Sequence, residues 1–582
     1  MACARLLGKR PARDRSIPPQ SVESSAWWMR NPLRSRREKG NLRAPIIRKT
    51  SAMTYARTRD FHLPGRSMVL AANGMCATSH PLAAKVAINM LESGGNAVDA
   101  AIAGAVLLGA CEPAMTGIGG DCFALIKMPD GTIRGLNGSG RAPAALSADR
   151  LRADGHTAMP LRSAHAVTVP GAIDAFCTLS ETLGVKGIAA SLAPAIRYFD
   201  EGIPVAPRAA HDWANSEPLL TGAARTHFLI AGAAPRSGQR FHAKGQAEVL
   251  RRIAAQGRAG YYEGEVAEDM VASLTALGGL HTMADFAATA CDWVEPVRGH
   301  YRGVELIELP PNGQGATAIL MAKILANFDL SSMHPFGAQR AHLEAEAAKL
   351  AYDARDRFIA DPGFVGIRLG QMLSDDVAKQ LAGLIDPDRA MADPRVASDN
   401  VHKETIYITV ADKDGMVVSL IYSVFHNFGS GLASDKFGIN FQNRGAGFTL
   451  EAGHPNELAG GKRPMHTIIP AMLAEEGRFT GSFGVMGGAY QPNGHVRFIS
   501  NMVDYAMDPQ TAMDGPRCFC EPKGFAMERG YSEDVRDKLT AMGHTMVTPD
   551  TPIGGSQAIM VDEDGLYRGA SDPRKDGCAL GY

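Results

Sequence analysis

Lys403-Glu404-Thr405-Ile406-Tyr407-Ile408-Thr409-Val410-Ala411 runs directly into Asp412-Lys413-Asp414-Gly415. From residue 405 onward the side chains alternate. Thr405, Tyr407, Thr409 and Ala411 fall on one face, and Ile406, Ile408 and Val410 on the other. Period-2 alternation closed by an Asp/Gly turn predicts a β-strand, and the apolar run Met416 to Ile421 predicts a second strand returning beside it. A threonine opening a strand is ordinary by itself, because threonine is a good β-former. Its surroundings must therefore decide whether it does chemistry.

Composition narrows the classes. Of 582 residues, 45% are hydrophobic and 21% charged, which describes a globular protein with a large core. Net charge is −1, but residues 1–52 hold 13 Lys/Arg against 3 Asp/Glu, so the body is mildly acidic. That body lacks the basic surplus of a nucleic-acid binder. The nine cysteines are scattered without a Cys-x-x-Cys pair; Cys518 and Cys520 alone lie close. This pattern fits reduced thiols and a cytoplasmic protein better than a disulfide framework, and it offers no zinc motif. The most apolar stretch, Ala97 to Ala110, contains Asp99 and is too short to span a bilayer, so no membrane partner is expected. Residues 1–52 lack the apolar core of a secretory signal. They are read as a disordered extension or the product of an over-called start codon, with Met53 as the effective beginning.

Organisation along the chain is mixed. Pro81 to Ser93 predicts a helix stopped by Gly94-Gly95, and Asn96 caps a second helix, Ala97 to Cys111. Pro113 to Asp121 is a glycine-rich turn leading into a strand, Cys122 to Lys127. A dinucleotide fingerprint would lead into a helix, so these glycines are read as close backbone packing near an active site. Residues 170–400 are expected to alternate short helices with loops, including a helix from Ala316 to Asn327. Strands are expected to dominate from 405 to about 450, followed by a pair at Thr467–Ala474 and Phe479–Val485. Helices and hairpins in this order predict sheets covered by helices, without fixing their stacking.

Several stretches together resemble the γ-glutamyltranspeptidase family: Gly94-Gly95-Asn96-Ala97-Val98-Asp99, Thr116-Gly117-Ile118-Gly119-Gly120, Val169-Pro170-Gly171, Thr405 with Asp412 to Gly415, Phe428-Gly429-Ser430-Gly431, Gly461-Lys462-Arg463-Pro464, Gly487-Gly488 and Ala570 to Arg574. Each is weak alone; their shared order carries the resemblance from residue 66 to the end. It implies an α/β (α+β) fold, a four-layer αββα sandwich of the N-terminal-nucleophile hydrolase type. It also implies a precursor that cuts itself before Thr405. Residues 53–404 would then belong to the large chain and 405–582 would form the small catalytic chain. The two would stay associated, with a further homo-oligomer of the pair open.

The implied chemistry suits a threonine. Its hydroxyl needs an adjacent base, and self-cleavage would free an α-amine whose reference pKa near 8 serves that purpose. By the resemblance, Thr405 is the nucleophile, Ser423 helps to hold it, and the N–H groups of Gly487 and Gly488 receive the oxyanion. On residue type alone Ser423 is an ordinary strand serine and Gly487-Gly488 an ordinary turn. No metal or organic cofactor is required.

Departures from the family pattern point at the substrate. The arginine that clamps a γ-glutamyl group falls on Ser139, with Arg141 two residues later as a possible substitute. The family's paired serines become His466 and Thr467. The acid that holds the substrate's α-amine falls on Gly447, and an asparagine near the nucleophile becomes Phe425. Arg444 is a new cation in the same region, and with His466 it is expected to receive a substrate carboxylate nearer the scissile amide. The pattern is similar to the branch containing oxamate amidohydrolase. The leading expectation is hydrolysis of a small acidic amide. Glutathione hydrolysis or γ-glutamyl transfer comes second, beside a cephalosporin-acylase-like specificity and an unprocessed binding or scaffold protein.

Overall fold

The hairpin expected around Thr405 forms the centre of a sheet. In the computed structural model, strand Ile406–Ala411 pairs antiparallel with Val417–Ser423. The structure describes residues 59, 61–62, 65–392, 405–521 and 524–582. Readings that fall on 1–52 or on Lys403 and Glu404 lie outside these residues. The described part belongs to one unit, Lys49–Tyr582.

Asp412 explains why the hairpin turns where it does. One of its carboxylate oxygens accepts the N–H groups of Asp414 and Met416, each at 3.0 Å. The other accepts the N–H of Ala97 at 2.9 Å, at the start of helix Ala97–Cys111. Asn96 and Asp99 complete that helix start as a reciprocal capping box. A single turn residue thus fixes both the hairpin and the helix lying across it.

Two seven-stranded sheets pack face to face. The first carries, in spatial order, Cys578–Gly581, Met75–Thr78, Ile406–Ala411, Val417–Ser423, Asp121–Lys127, Ile133–Gly138 and Asp292–Val294. The second carries Val69–Ala71, Tyr567–Ser571, Gly555–Val561, Arg478–Met486, Ala471–Glu475, Val304–Glu308 and Val297–Tyr301. Every pairing within both is antiparallel. The alternation read from the sequence sorts the strand faces correctly. Ile406, Ile408 and Val410 enter the core beneath the outer helices, whereas Tyr407 and Ala411 enter the core between the sheets. Helices Gly315–Leu325 and Gln491–Val503 cover the far side of the second sheet, completing four layers.

Three expectations need correction. Past Ser423 no named strand occurs until Ala471, so the predicted strand-rich stretch to about 450 is a loop. Phe425, Phe428, Gly429, Gly431 and Gly438 all have positive φ there, which no strand tolerates. The strand expected from Thr467 begins only at Ala471. Within residues 170–400 the described part also contains five strands and a 21-residue helix, Ala338–Phe358. That helix buries Arg340, Glu344, Glu346 and Lys349 in mutual ion pairs, so it shows no apolar stripe to read. Among the described residues, no helix is long and apolar enough to cross a membrane.

Candidate active site

Strand register assembles the site. Ile406 lies opposite Tyr422, which sets Thr405 beside Ser423, and Ser423 in turn lies opposite Asp121. Three neighbouring strands therefore end in Thr405, Ser423 and Asp121, all buried. The glycine turn before Asp121 makes this possible. A Cβ on Gly120 would stand 2.4 Å from the Ser423 carbonyl oxygen, so only glycine lets the two strand ends meet.

Ser423 Oγ is a meeting point. It accepts the hydroxyl of Thr405 at 3.4 Å, the N–H of Phe425 at 2.8 Å and Nη2 of Arg444 at 3.2 Å. Phe425 has φ 82°, an uncommon conformation for a bulky residue. That backbone turns its N–H onto Ser423 while its ring lies 4.1 Å from the Arg444 guanidinium carbon. Arg444 is wholly buried in a short turn, and Nη1 donates to Thr467 Oγ1 at 2.9 Å. Its Nε has no hydrogen-bond partner among the described residues. Burial pulls the Arg444 pKa down to about 9, with the Asp121 carboxylate working against the fall, so the group remains cationic at neutral pH.

His466 sits on the other side of Asp121. Its Nδ1 accepts the Ile468 N–H at 3.3 Å, which leaves Nε2 as the protonated nitrogen, donating to Asp121 Oδ2 at 3.1 Å. Burial, then the neighbouring Arg444 charge, lowers its pKa to about 3. His466 is therefore a neutral brace on Asp121, and its charge is not available to meet a carboxylate. Gln442 Nε2 at 2.8 Å and Gly171 N–H at 3.1 Å hold the other Asp121 oxygen.

Gly487 and Gly488 form a tight turn with φ 118° and 55°, closing strand Arg478–Met486 and opening helix Gln491–Val503. Gln314 links this turn to the rest of the site. Its Nε2 donates to the carbonyls of Gly488 at 2.9 Å and Thr467 at 2.7 Å. Continuous hydrogen bonds therefore join Thr405, Ser423, Arg444, Thr467, Gln314 and Gly488.

Arg141 belongs to a neighbouring group. It is half-buried, donates to the Gly461 carbonyl at 3.2 Å and pairs with Asp361 at 3.4 Å. Ser139 Oγ accepts Asn312 Nδ2 at 3.1 Å. A Cβ on Gly447 would meet the Met465 carbonyl oxygen at 2.6 Å, so no acid fits there without backbone movement. Sequence reasoning missed Asp121 and Gln314. Asp121 left one signal, an acid between a Gly-Gly pair and an apolar strand; Gln314 left none.

The arrangement nearest a metal site among the described residues is His342, Glu346 and His544. The two imidazoles bond each other at 2.8 Å, and Glu346 accepts the Lys349 ammonium at 2.7 Å and the Met391 N–H at 2.8 Å. These groups satisfy one another, and a lysine already supplies the cation.

The chain matches the family model described as gamma-glutamyltranspeptidase over residues 83–582. It is 36% identical to the glutathione hydrolase-like YwrD proenzyme of Bacillus subtilis, covering 88% of this chain and 99% of that protein. It is 32% identical to the oxamate amidohydrolase proenzyme of Klebsiella pneumoniae, covering 88% and 98% respectively. In three dimensions it is similar to cephalosporin acylase from Bacillus halodurans, with a TM-score of 0.84, 37% identity, and 90% and 99% of the two chains covered.

Proposed function

The chain belongs to the γ-glutamyltranspeptidase family, and from that premise we propose a self-cleaving amidohydrolase that uses Thr405 to hydrolyse a small acidic amide. Cleavage of the Glu404–Thr405 bond frees the Thr405 α-amine. That amine takes the Thr405 hydroxyl proton as Oγ attacks the amide carbonyl, and returns it to the departing nitrogen. The N–H groups at Gly487 and Gly488 receive the oxyanion, a contribution of about 3 kcal/mol per donor. Water then attacks the acyl-enzyme and releases the acid. Ser423 orients Oγ throughout.

The observation that carries the substrate reading is the buried Arg444 charge. Its Nη2 and the Thr405 hydroxyl share one acceptor, Ser423 Oγ, at 3.2 and 3.4 Å. Guanidinium and nucleophile are thus at most two hydrogen bonds apart. A carboxylate held by Arg444 would then lie close to the scissile carbonyl, which favours a compact amide acid such as oxamate. In a γ-glutamyl group, Cγ, Cβ and Cα separate the two. The orphan Nε supplies a donor for such a carboxylate.

Glutathione hydrolysis or γ-glutamyl transfer is the second reading, supported by the names of the Bacillus subtilis relatives at 36% and 30% identity. The crowding at Gly447 argues against it, because no carboxylate there can hold a substrate ammonium. Ammonia release from oxamate, beside turnover of a chromogenic γ-glutamyl anilide, tests the choice. Oxamate hydrolysis lost in Arg444→Ala supports the first reading, and robust anilide turnover with none on oxamate overturns it.

A further inference from the structure

Gln314 stands at the N-cap position of helix Gly315–Leu325, yet its side chain makes no capping bond. It is wholly buried and spends its amide elsewhere. Both Nε2 hydrogens go to carbonyl oxygens, Thr467 at 2.7 Å and Gly488 at 2.9 Å, while Oε1 accepts Arg355 Nη1 at 2.9 Å. Carbonyls only accept and a guanidinium only donates, so the amide has one permitted orientation. Arg355 is itself braced, with Nε on Asp356 at 2.7 Å and its guanidinium 4.6 Å from the centre of the Tyr352 ring.

The acceptors matter more than the donor. Gly488 has no side chain to restrict its own backbone, so the hydrogen bond to its carbonyl fixes how the turn leaves the second sheet. The carbonyls on either side are held too: Gly487 accepts Tyr490 N–H at 3.0 Å, and Ala489 accepts the Tyr352 hydroxyl. Thr467 is the residue whose hydroxyl anchors Arg444. One carboxamide therefore spans the oxyanion turn and the cation expected to hold the substrate.

We propose that Gln314 is a positioning residue. It fixes the Gly487-Gly488 donors and sets their separation from Arg444, so that a substrate gripped by its carboxylate presents its carbonyl to both N–H groups at once. This rests on the catalytic reading above but concerns the geometry of the turn, which is measurable without substrate.

The test uses the purified full-length protein carrying Gln314→Met or Gln314→Glu, beside the parent and Thr405→Ala. Hydrogen exchange followed by mass spectrometry compares the peptide spanning 484–491 with the strand at 406–411. Gln314→Met is expected to speed exchange at 484–491 by about 10-fold and leave the strand unchanged. On the substrate the parent turns over, oxamate or the γ-glutamyl anilide, kcat is expected to fall by about 10- to 100-fold with KM within about threefold. Gln314→Glu keeps a partner for Arg355 but turns a carboxylate oxygen toward two carbonyls. Its activity should recover toward acid pH as that carboxyl gains a proton to donate, while Gln314→Met shows no recovery. Unchanged exchange at 484–491, a rise shared equally with the strand, or a loss confined to KM overturns the proposal. Full turnover by Thr405→Ala would instead overturn the catalytic reading and leave the exchange result standing.

Discussion

Arg444 is a charge buried beside a hydroxyl, and such a charge is tolerated only where fixed partners replace water. Ser423, Thr467, the Phe425 ring and the field of Asp121 are those partners. Replacing Arg444 by Met should lower kcat/KM for oxamate by at least about 100-fold, the worth of a charge-assisted pair. Arg444→Lys keeps the charge but loses the planar fork, so it should recover little of that activity. Equal kcat/KM in the parent and Arg444→Met would remove the guanidinium from substrate binding. Ser423→Ala should lower kcat by about 10-fold or more, because its hydroxyl meets the nucleophile, and should raise KM as well, because it also holds Arg444. Thr405 and Ser423 were legible through the family resemblance, and Arg444 as a departure from the family's pattern, whereas residue type alone named none of them. Asp121 and Gln314 were not, since their roles arise from bonds to residues distant in sequence, such as Asp121 with Gln442 and His466 and Gln314 with Thr467 and Gly488.

Among the elements, the hairpin at Thr405 was readable because alternation and an Asp/Gly turn are local signals. Helix Ala97–Cys111 matched its predicted bounds because Asn96 and Asp99 cap it by themselves. The loop from 424 to 450 was misread as strand-rich. Its apolar residues are buried by wrapping over the glycine turn, with Phe428 N–H on the Ala114 carbonyl at 2.8 Å and Gln442 N–H on Gly119 at 3.1 Å. Nothing local encodes those contacts. Asp412→Ala removes the acceptor for three backbone N–H groups and should destabilise the protein by about 2–3 kcal/mol, read by urea denaturation. A change below about 0.5 kcal/mol would show that the turn does not pin hairpin to helix.

Across the whole molecule, buried histidines dictate the acid limit. Burial lowers His80 and His281 to about 4, and His466 and His544 to about 3, from an ordinary value of 6.5. Each is neutral when folded, so below pH 6.5 the unfolded chain binds more protons and stability falls as pH drops. Burial raises Glu112 to about 7 and Asp514 to about 6, and these oppose the fall, because their stabilisation is fully present at low pH and lost as pH rises through those values. Thermal stability should therefore decline from pH 6.5 down to about 4, by about 1.4 kcal/mol per pH unit for each histidine not offset by one of these acids. A melting temperature that stays level down to pH 4 would contradict this. The αββα layering followed from a resemblance, not from periodicity, since alternation sorts a strand's faces but cannot say which sheet meets them. Self-cleavage at Thr405 is tested most directly by the intact mass of freshly purified protein beside Thr405→Ala. The parent is expected to give two chains, the smaller beginning at Thr405, and the variant one uncut inactive chain. A single uncut chain in both, or a cut elsewhere that survives the substitution, would contradict it.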